Sequence, residues 1–333
     1  MTRPRFALAC LLALGVGGSA LADYPEEVFA QKAIPAYSIP TPTKGSPTTT
    51  IIGQVRTYRI RKGDTLLDVA RYFDLGWNEI IDANPYIDPW VPPAGSTILL
   101  PTEWVLPCCS YDGVVVNIPE MRLFFFHRSK DDPGTTVVHT FPVGLGRDDW
   151  RTPTGKFKIR GKTLNPQWNI PESIRKEHIA DRGDPRTFIA GGDPENPLGH
   201  HRIELTLPMY GIHGTNIPWG VGMQVSHGCV RLYPEDIERL FPLVPVGTPV
   251  EFTYQPVKVG RRGGTVWVEV HRDIYRYSRS LAAATHTALE RAGLTGRVDR
   301  RLLDAALRSA SGVPVAVSDD HAVAKGRGGG TAN

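Results

Sequence analysis

Hydrophobic and polar positions along the chain change period several times, and each change marks an element. Tyr58 and Ile60 alternate with Arg59 and Arg61 ahead of a Gly63-Asp64 turn, which predicts a short strand. Leu66, Val69, Ala70 and Phe73 then recur at i, i+3, i+4 and i+7, the stripe of an amphipathic helix, with Thr65 and Asp68 placed as its capping box. Trp77, Ile80 and Ile81 predict a second short helix ending at Ala83-Asn84-Pro85, and residues 97–100 a closing strand before Pro101. From Gly113 the texture becomes β-branched and aromatic, with strands predicted over 114–118, 122–126, 135–141 and 154–159. Such spacing argues an all-β sandwich or barrel. Residues 161–200 interrupt it with a polar, Pro/Gly-rich stretch holding Trp168, Ile174 and Phe188, predicted as a long loop of the kind that serves as lid or binding rim. Strands resume over 203–207 and 210–213, a helix is expected over 234–241, and strands over 250–254 and 265–270 finish the sheet. Two helices over 280–292 and 298–310 are expected to pack against the β-domain, because two short helices bury little alone.

The ends read differently. Arg3 and Arg5 precede an apolar run from Phe6 to Val16 and a small-x-small site at Ala20-Leu-Ala22, so residues 1–22 read as a cleaved secretory signal. Cys10 follows too few apolar residues for a lipoprotein signal. The apolar run is too short to span a bilayer, and the mature protein is expected to be periplasmic. Residues 23–55 carry seven prolines or glycines without an apolar period and read as a linker; residues 312–333 read as a disordered tail. The predicted segments are thus a signal (1–22), a linker (23–55), a small α+β unit (56–102), a mainly β domain (112–255), a C-terminal strand and helical extension (256–311) and a tail.

Composition adds limits. Hydrophobic residues make up 41% and charged residues 22% of 333, which supports a real core in more than one domain. A net charge of +4 suits an anionic polymer but is far from a nucleic-acid signature. The mature chain keeps Cys108, Cys109 and Cys229, an odd number for an oxidising compartment. A strained Cys108–Cys109 bridge leaves Cys229 free, while a Cys109–Cys229 bridge is the structural alternative.

Candidate chemistry concentrates between His213 and Cys229. A thiol reacts as thiolate and an unperturbed one is mostly protonated at neutral pH, so a neighbouring imidazole is the natural base. His213 and Cys229, with Gly214 and Gly228 beside them, suit acyl transfer: His213 takes and returns the proton, and N–H groups around Gly228 and Cys229 are candidate oxyanion donors. His227 and Arg231 read equally as substrate contacts or as structure, Arg231 then bracing Glu235-Asp236, and Trp168 and Trp219 as cleft walls or core. His200, His201, His213, His227 and Cys229 lack zinc-site spacing, so neither a metal nor a cofactor is expected.

Two resemblances sharpen this. Gly63-Asp64-Thr65-Leu66, Asn84, and Gly95 ahead of the last strand and Pro101 resemble a LysM domain over 56–102, which implies binding to peptidoglycan glycan. Ser226-His-Gly-Cys-Val-Arg231, with His213-Gly214, Thr152-Pro-Thr-Gly155 and Asn165-Pro-Gln-Trp168, resembles the YkuD-type L,D-transpeptidases over 112–255. That resemblance implies that Cys229 attacks a tetrapeptide stem after the L-centre of diaminopimelate, expels D-alanine and passes the acyl group to an amine. The amine is a second diaminopimelate, giving a 3–3 cross-link, or the C-terminal lysine of an outer-membrane lipoprotein. Arg231, where many members carry asparagine, with the LysM unit, resembles the lipoprotein-anchoring ErfK/YbiS-like branch. The alternatives are a thiol L,D-carboxypeptidase or endopeptidase that trims peptidoglycan, and a wall-binding protein without catalysis.

Overall fold

The computed structural model describes residues 28–29, 35–42 and 50–318; the signal predicted over 1–22 lies outside them, as does the tail beyond 318. In chain order come β1 (Ala36–Pro40), β2 (Ile51–Gly53), β3 (Arg56–Arg59), α1 (Leu66–Tyr72), α2 (Trp77–Ala83), β4 (Thr97–Leu100) and β5 (Glu103–Val105). The central stretch holds β6 (Gly113–Asn117), β7 (Arg122–Arg128), β8 (Thr135–Pro142), β9 (Leu145–Gly146), β10 (Gly155–Leu164), β11 (Trp168–Asn169), α3 (Glu172–Arg182) and β12 (Phe188–Ile189). Then follow β13 (His201–Leu205), β14 (Gly211–His213), β15 (Gln224–Ser226), β16 (Val230–Arg231), α4 (Pro234–Leu243), β17 (Pro249–Thr253), β18 (Val257–Arg262), β19 (Thr265–Val270), α5 (Leu281–Arg291), α6 (Arg300–Ser309) and β20 (Val315–Ala316).

The protein is mainly β. Nine strands join in the order β1-β8-β7-β6-β17-β10-β13-β14-β16, with β6/β17 and β14/β16 parallel and the other pairs antiparallel. β10 serves two halves: residues 155–158 pair with β17, and beyond a register shift between Ile159 and Gly161 the strand pairs with β13. Such an irregularity bends a strand and lets one sheet fold over a shared core. That core takes Val114, Leu123 and Phe125 from one half and Ile203, Ile212 and Val230 from the other, capped by Ile237 and Leu240 of α4.

The unbroken apolar runs of β6 and β7 have a simple cause. Val115, Phe124 and Phe126 point to the opposite face from their neighbours and join a second core with Leu66, Val69, Leu75 and Ile80. A sheet covered on both faces needs no polar alternation. The cover is the βααβ unit of β3, α1, α2 and β4, closed by antiparallel pairing of β3 with β4. Thr65 caps α1 as its spacing predicts, accepting from Asp68 N at 3.2 Å. Asn84 ties α2 to β4, donating to Ile80 and Leu99 carbonyls and accepting from Leu99 N, each at 2.8 Å. Glu79 of α2 pairs with buried Arg122 of β7 at 2.8 Å and accepts from Trp104 Nε1 at 3.0 Å, fixing the unit to the sheet.

Four expectations change. The linker contains β1, an edge strand of the large sheet on β8, and β2, paired with β5. The 161–200 loop holds the end of β10, the β11–β12 pair and the 11-residue helix α3. A strand absent from the sequence reading, β18, pairs with β19, and α5 and α6 pack on this small sheet around Val266, Val268 and Leu289 instead of on the large one. The start of the predicted tail forms β20 against Trp267 and Val268. Beneath these layers Lys258 Nζ lies 2.7 Å from Glu120 and 2.9 Å from Glu269, all three fully buried, while His271 bonds Glu269 and Val105 N donates to it.

Candidate active site

β14 and β16 lie side by side, with Ile212 opposite Val230 and His213 opposite Arg231. Ile212 and Val230 are core residues, so alternation turns Gly211, His213, Cys229 and Arg231 to the other face. Parallel register therefore brings together residues sixteen positions apart. The three cysteines Cys108, Cys109 and Cys229 are free, so both disulfide readings are corrected.

The turn before the thiol is tightly held. Ser226 Oγ donates to Cys229 O at 2.7 Å and accepts from Gly228 N at 3.0 Å. The Gly228 N–H is thereby occupied, which corrects its candidacy as an oxyanion donor and leaves that of Cys229 standing. Gly228 has φ +103°, and a Cβ there would come within 2.7 Å of the Tyr210 ring, so both conformation and space require glycine. Thr152 Oγ1 donates to Gly228 O at 3.0 Å and accepts from Gly146 N at 3.0 Å. Behind it, Tyr275 OH donates to Gly146 O at 2.6 Å and accepts from Thr152 N at 3.1 Å.

His213 is buried and its Nδ1 lies 2.7 Å from Gly214 O. A carbonyl only accepts, so Nδ1 carries the hydrogen and Nε2 keeps the lone pair that a base uses. Burial first, then the Arg231 charge, lowers the imidazole from 6.5 to about 3, against the Gly214 bond; Arg202 adds to the lowering. Burial raises the Cys229 thiol above its ordinary value, partly opposed by the Gly211 N–H and by Arg202 and Arg231. At rest the thiol is neutral and donates toward Met209 O at 3.7 Å. The two groups are thus a neutral thiol and a neutral imidazole.

Other predicted residues fall around this centre. His227 Nε2 bonds Glu177 of α3 at 2.8 Å, and Arg147 reaches the same carboxylate at 3.2 Å, so α3 is latched over the site. Trp168 packs with Ile170, Ile174 and Ile189 in the small core beneath α3, and meets His178 edge-on at 5.8 Å. Glu235 is held by Arg71 at 3.0 Å, so Arg231 does not brace that turn. His200 bonds Asn165 and His201 packs on Phe241, away from any shared centre with His213. Glu120, Glu269 and His271 have metal-ligand spacing, but the Lys258 ammonium occupies the cation's place among them. A cavity of about 580 Å³ between β18 and α5, lined by Val257, Val259, Ala284 and Arg291, shares no lining residue with this site. Sequence reasoning missed Arg202, which strand pairing sets beside His213, and Met209, Tyr275, Arg147 and Glu177, which tertiary hydrogen bonds bring to this region.

The βααβ unit touches the same loop. Trp77 N and Asn78 N, at the start of α2, donate to Val221 O (3.1 Å) and Gly222 O (3.3 Å), within the stretch joining His213 to Cys229. Trp90 and Trp77 lie 5.3 Å apart, and Trp90 and Tyr86 are exposed.

A free thiol and a buried imidazole thus lie on one face of adjacent strand ends, beside α3, on a mainly β fold. The profile of the L,D-transpeptidase catalytic domain, YkuD, matches residues 111–252, and the chain belongs to this family of L,D-transpeptidases. Among its relatives, the Escherichia coli K12 protein described as "Probable L,D-transpeptidase YbiS" is 34% identical, covering 84% of this chain and 92% of that one. "Probable L,D-transpeptidase ErfK/SrfK" of the same organism is also 34% identical, over 87% and 94%. The crystal structure of Mycobacterium tuberculosis L,D-transpeptidase 3 overlays with TM-score 0.31 at 18% identity, covering 71% and 89%.

Proposed function

We propose that this L,D-transpeptidase acts on peptidoglycan outside the cytoplasm through a Cys229 thioester. The observation that carries the reading is the His213 tautomer: Nδ1 fixed on Gly214 O, Nε2 free, one strand from Cys229. Nε2 takes the thiol proton as sulfur attacks the carbonyl after the L-centre of a tetrapeptide stem. The carbonyl oxygen gathers charge against the Cys229 N–H. Collapse breaks the C–N bond, and His213 returns the proton to the departing D-alanine amine. An acceptor amine then attacks the thioester, giving a 3–3 cross-link or a lipoprotein lysine linkage, and restores the thiol. Amide exchanged for amide needs no cofactor.

Ser226, Gly228 and Gly214 hold the thiol and imidazole in place, and His227 latches the lid. The βααβ unit reads as a LysM domain, with the Trp77–Trp90 pair and Tyr86 offering apolar faces to sugar rings. Its bonds to Val221 and Gly222 support delivery of a bound glycan strand to the site. Arg231 and the LysM-like unit favour the lipoprotein-anchoring branch. The test is incubation of the purified chain with tetrapeptide muropeptides, with and without an amine acceptor, read by mass spectrometry. Amine adducts or dimers lost in Cys229→Ala are expected; shortened stems alone identify a carboxypeptidase, and no reaction identifies a binding protein.

A further inference from the structure

Three neighbouring strands set Arg202, His213 and Arg231 in one row. Arg202 of β13 stands opposite His213 across an antiparallel pair, and His213 opposite Arg231 across a parallel one. Ile203, Ile212 and Val230 go into the core, so all three members of the row turn to the face that carries Cys229. Strands about 4.8 Å apart put the two arginine Cα atoms roughly 10 Å from each other, with the imidazole between.

Among the described residues, both arginines lack a counter-ion. Nε of Arg202 and Nε of Arg231 are buried without a hydrogen-bond partner, and among the described residues no carboxylate pairs with either side chain. Glu204, two residues along β13, is engaged by Arg160 at 2.9 Å. Arg202 also lies across Gly211, the residue whose N–H faces the sulfur; a Cβ there would be 3.4 Å from the Arg202 Nε. A buried guanidinium nitrogen without an acceptor is costly, and a planar fork is the group that best receives a carboxylate.

We propose that Arg202 and Arg231 form a two-arginine receptor for the free carboxylate of the residue expelled from the acyl donor, with Arg202 as its specificity-determining member. The inference rests on the acyl-transfer reading above. In the proposed donor this carboxylate is joined to the scissile nitrogen through a single Cα, so groups beside the sulfur meet it first. The distal carboxylate of a diaminopimelate side chain lies several carbons further off. Seating an anion there also offsets two of the charges that keep His213 proton-poor, so the base strengthens when the donor is in place.

The experiment compares a tetrapeptide stem ending in a free carboxylate with its C-terminal carboxamide, on the full chain. The wild type is expected to favour the acid by about 10–100-fold in kcat/KM, the range of one or two charge-assisted hydrogen bonds. Arg202→Met should collapse that acid-over-amide ratio toward one, and Arg202→Lys should restore part of it. An unchanged ratio in Arg202→Met, with both donors slowed alike, overturns the receptor and leaves Arg202 a general electrostatic or structural role. Equilibrium binding of the two peptides to Cys229→Ala, with and without Arg202→Met, keeps the question separate from turnover. Acid preferred over amide, with the preference lost in the double variant, supports the receptor even if no donor is turned over. Equal affinities overturn it. Absence of turnover by the wild type counts against the acyl-transfer reading alone.

Discussion

Tyr275→Phe removes one oxygen and leaves the ring, so it isolates the brace behind the nucleophile turn. The hydroxyl is buried and bridges Gly146 O (2.6 Å) and Thr152 N (3.1 Å), and Thr152 Oγ1 in turn holds Gly228 O (3.0 Å). Losing it strands one buried carbonyl and one buried N–H, each costing about 1–3 kcal/mol. The sum, about 2–6 kcal/mol, is a large share of a typical total near 5–15 kcal/mol. At roughly 2–4 °C per kcal/mol, Tm should fall by about 4–24 °C. Because the released turn positions the sulfur, kcat should drop about 10–100-fold with KM little changed. Thermal unfolding and D-alanine release measure the two effects. A lower Tm with kcat within about twofold of wild type would refute the link from Tyr275 to the thiol, and an unchanged Tm would refute the brace itself. A cycle with Thr152→Val adds a coupling energy, expected to be non-zero because the two groups share one network.

Three further predictions follow from the same geometry. Since burial raises the Cys229 thiol, its alkylation by iodoacetamide should be slow at pH 7 and climb through a midpoint above that of an ordinary thiol. Peptide mapping separates it from exposed Cys108, while Cys109, pushed up to about 12 by burial, stays unlabelled. His213 is held neutral down to about 3 in the fold, whereas the unfolded chain protonates it as pH falls through 6.5. Its stabilisation is therefore complete above 6.5 and lost toward 3; by pH 4.5 the wild type should lose about 2–3 kcal/mol that His213→Gln does not, and parallel urea curves would contradict this. Glu177→Ala cuts the partly exposed links to His227 and Arg147, so Tm should move by only about 1 kcal/mol equivalent while amide exchange across α3 accelerates. Unchanged exchange would show that the latch does not hold the helix.

Much of this was legible in the sequence wherever the signal was local. The Thr65 cap, the stripe of α1 and the β-branched and aromatic runs of β6 and β7 each lie within one element, and all appear as expected. The His213–Cys229 pair was legible because glycines and histidines crowd one short stretch. What stayed hidden depends on partners far along the chain. Ala36–Pro40 resembles linker until β8, a hundred residues on, offers it an edge. α3 carries few apolar residues beyond Ile174 and Ile179, because it covers only a small core and the site's rim. Arg202 sits in an alternating His-Arg-Ile-Glu-Leu strand whose outward arginine looks like solvent decoration; only the register against His213 gives it a site. The Gly228 N–H was misassigned for a related reason, since Ser226 folds back to claim it.

The buried Lys258 shows that the segment matched by family similarity and the segment that folds are different things. The family match ends at residue 252, yet Glu120 inside it has its ammonium partner at 258, and Glu269 draws in Val105 from the N-terminal side. A gene fragment cut at the boundaries of similarity would leave Glu120 sealed in the interior without its counter-charge, and Gly146 without Tyr275. Such a chain cannot exchange its catalytic part with a relative as a cassette. Recombination that respects this protein's architecture has to carry the flanking strands along, so its layers are inherited together.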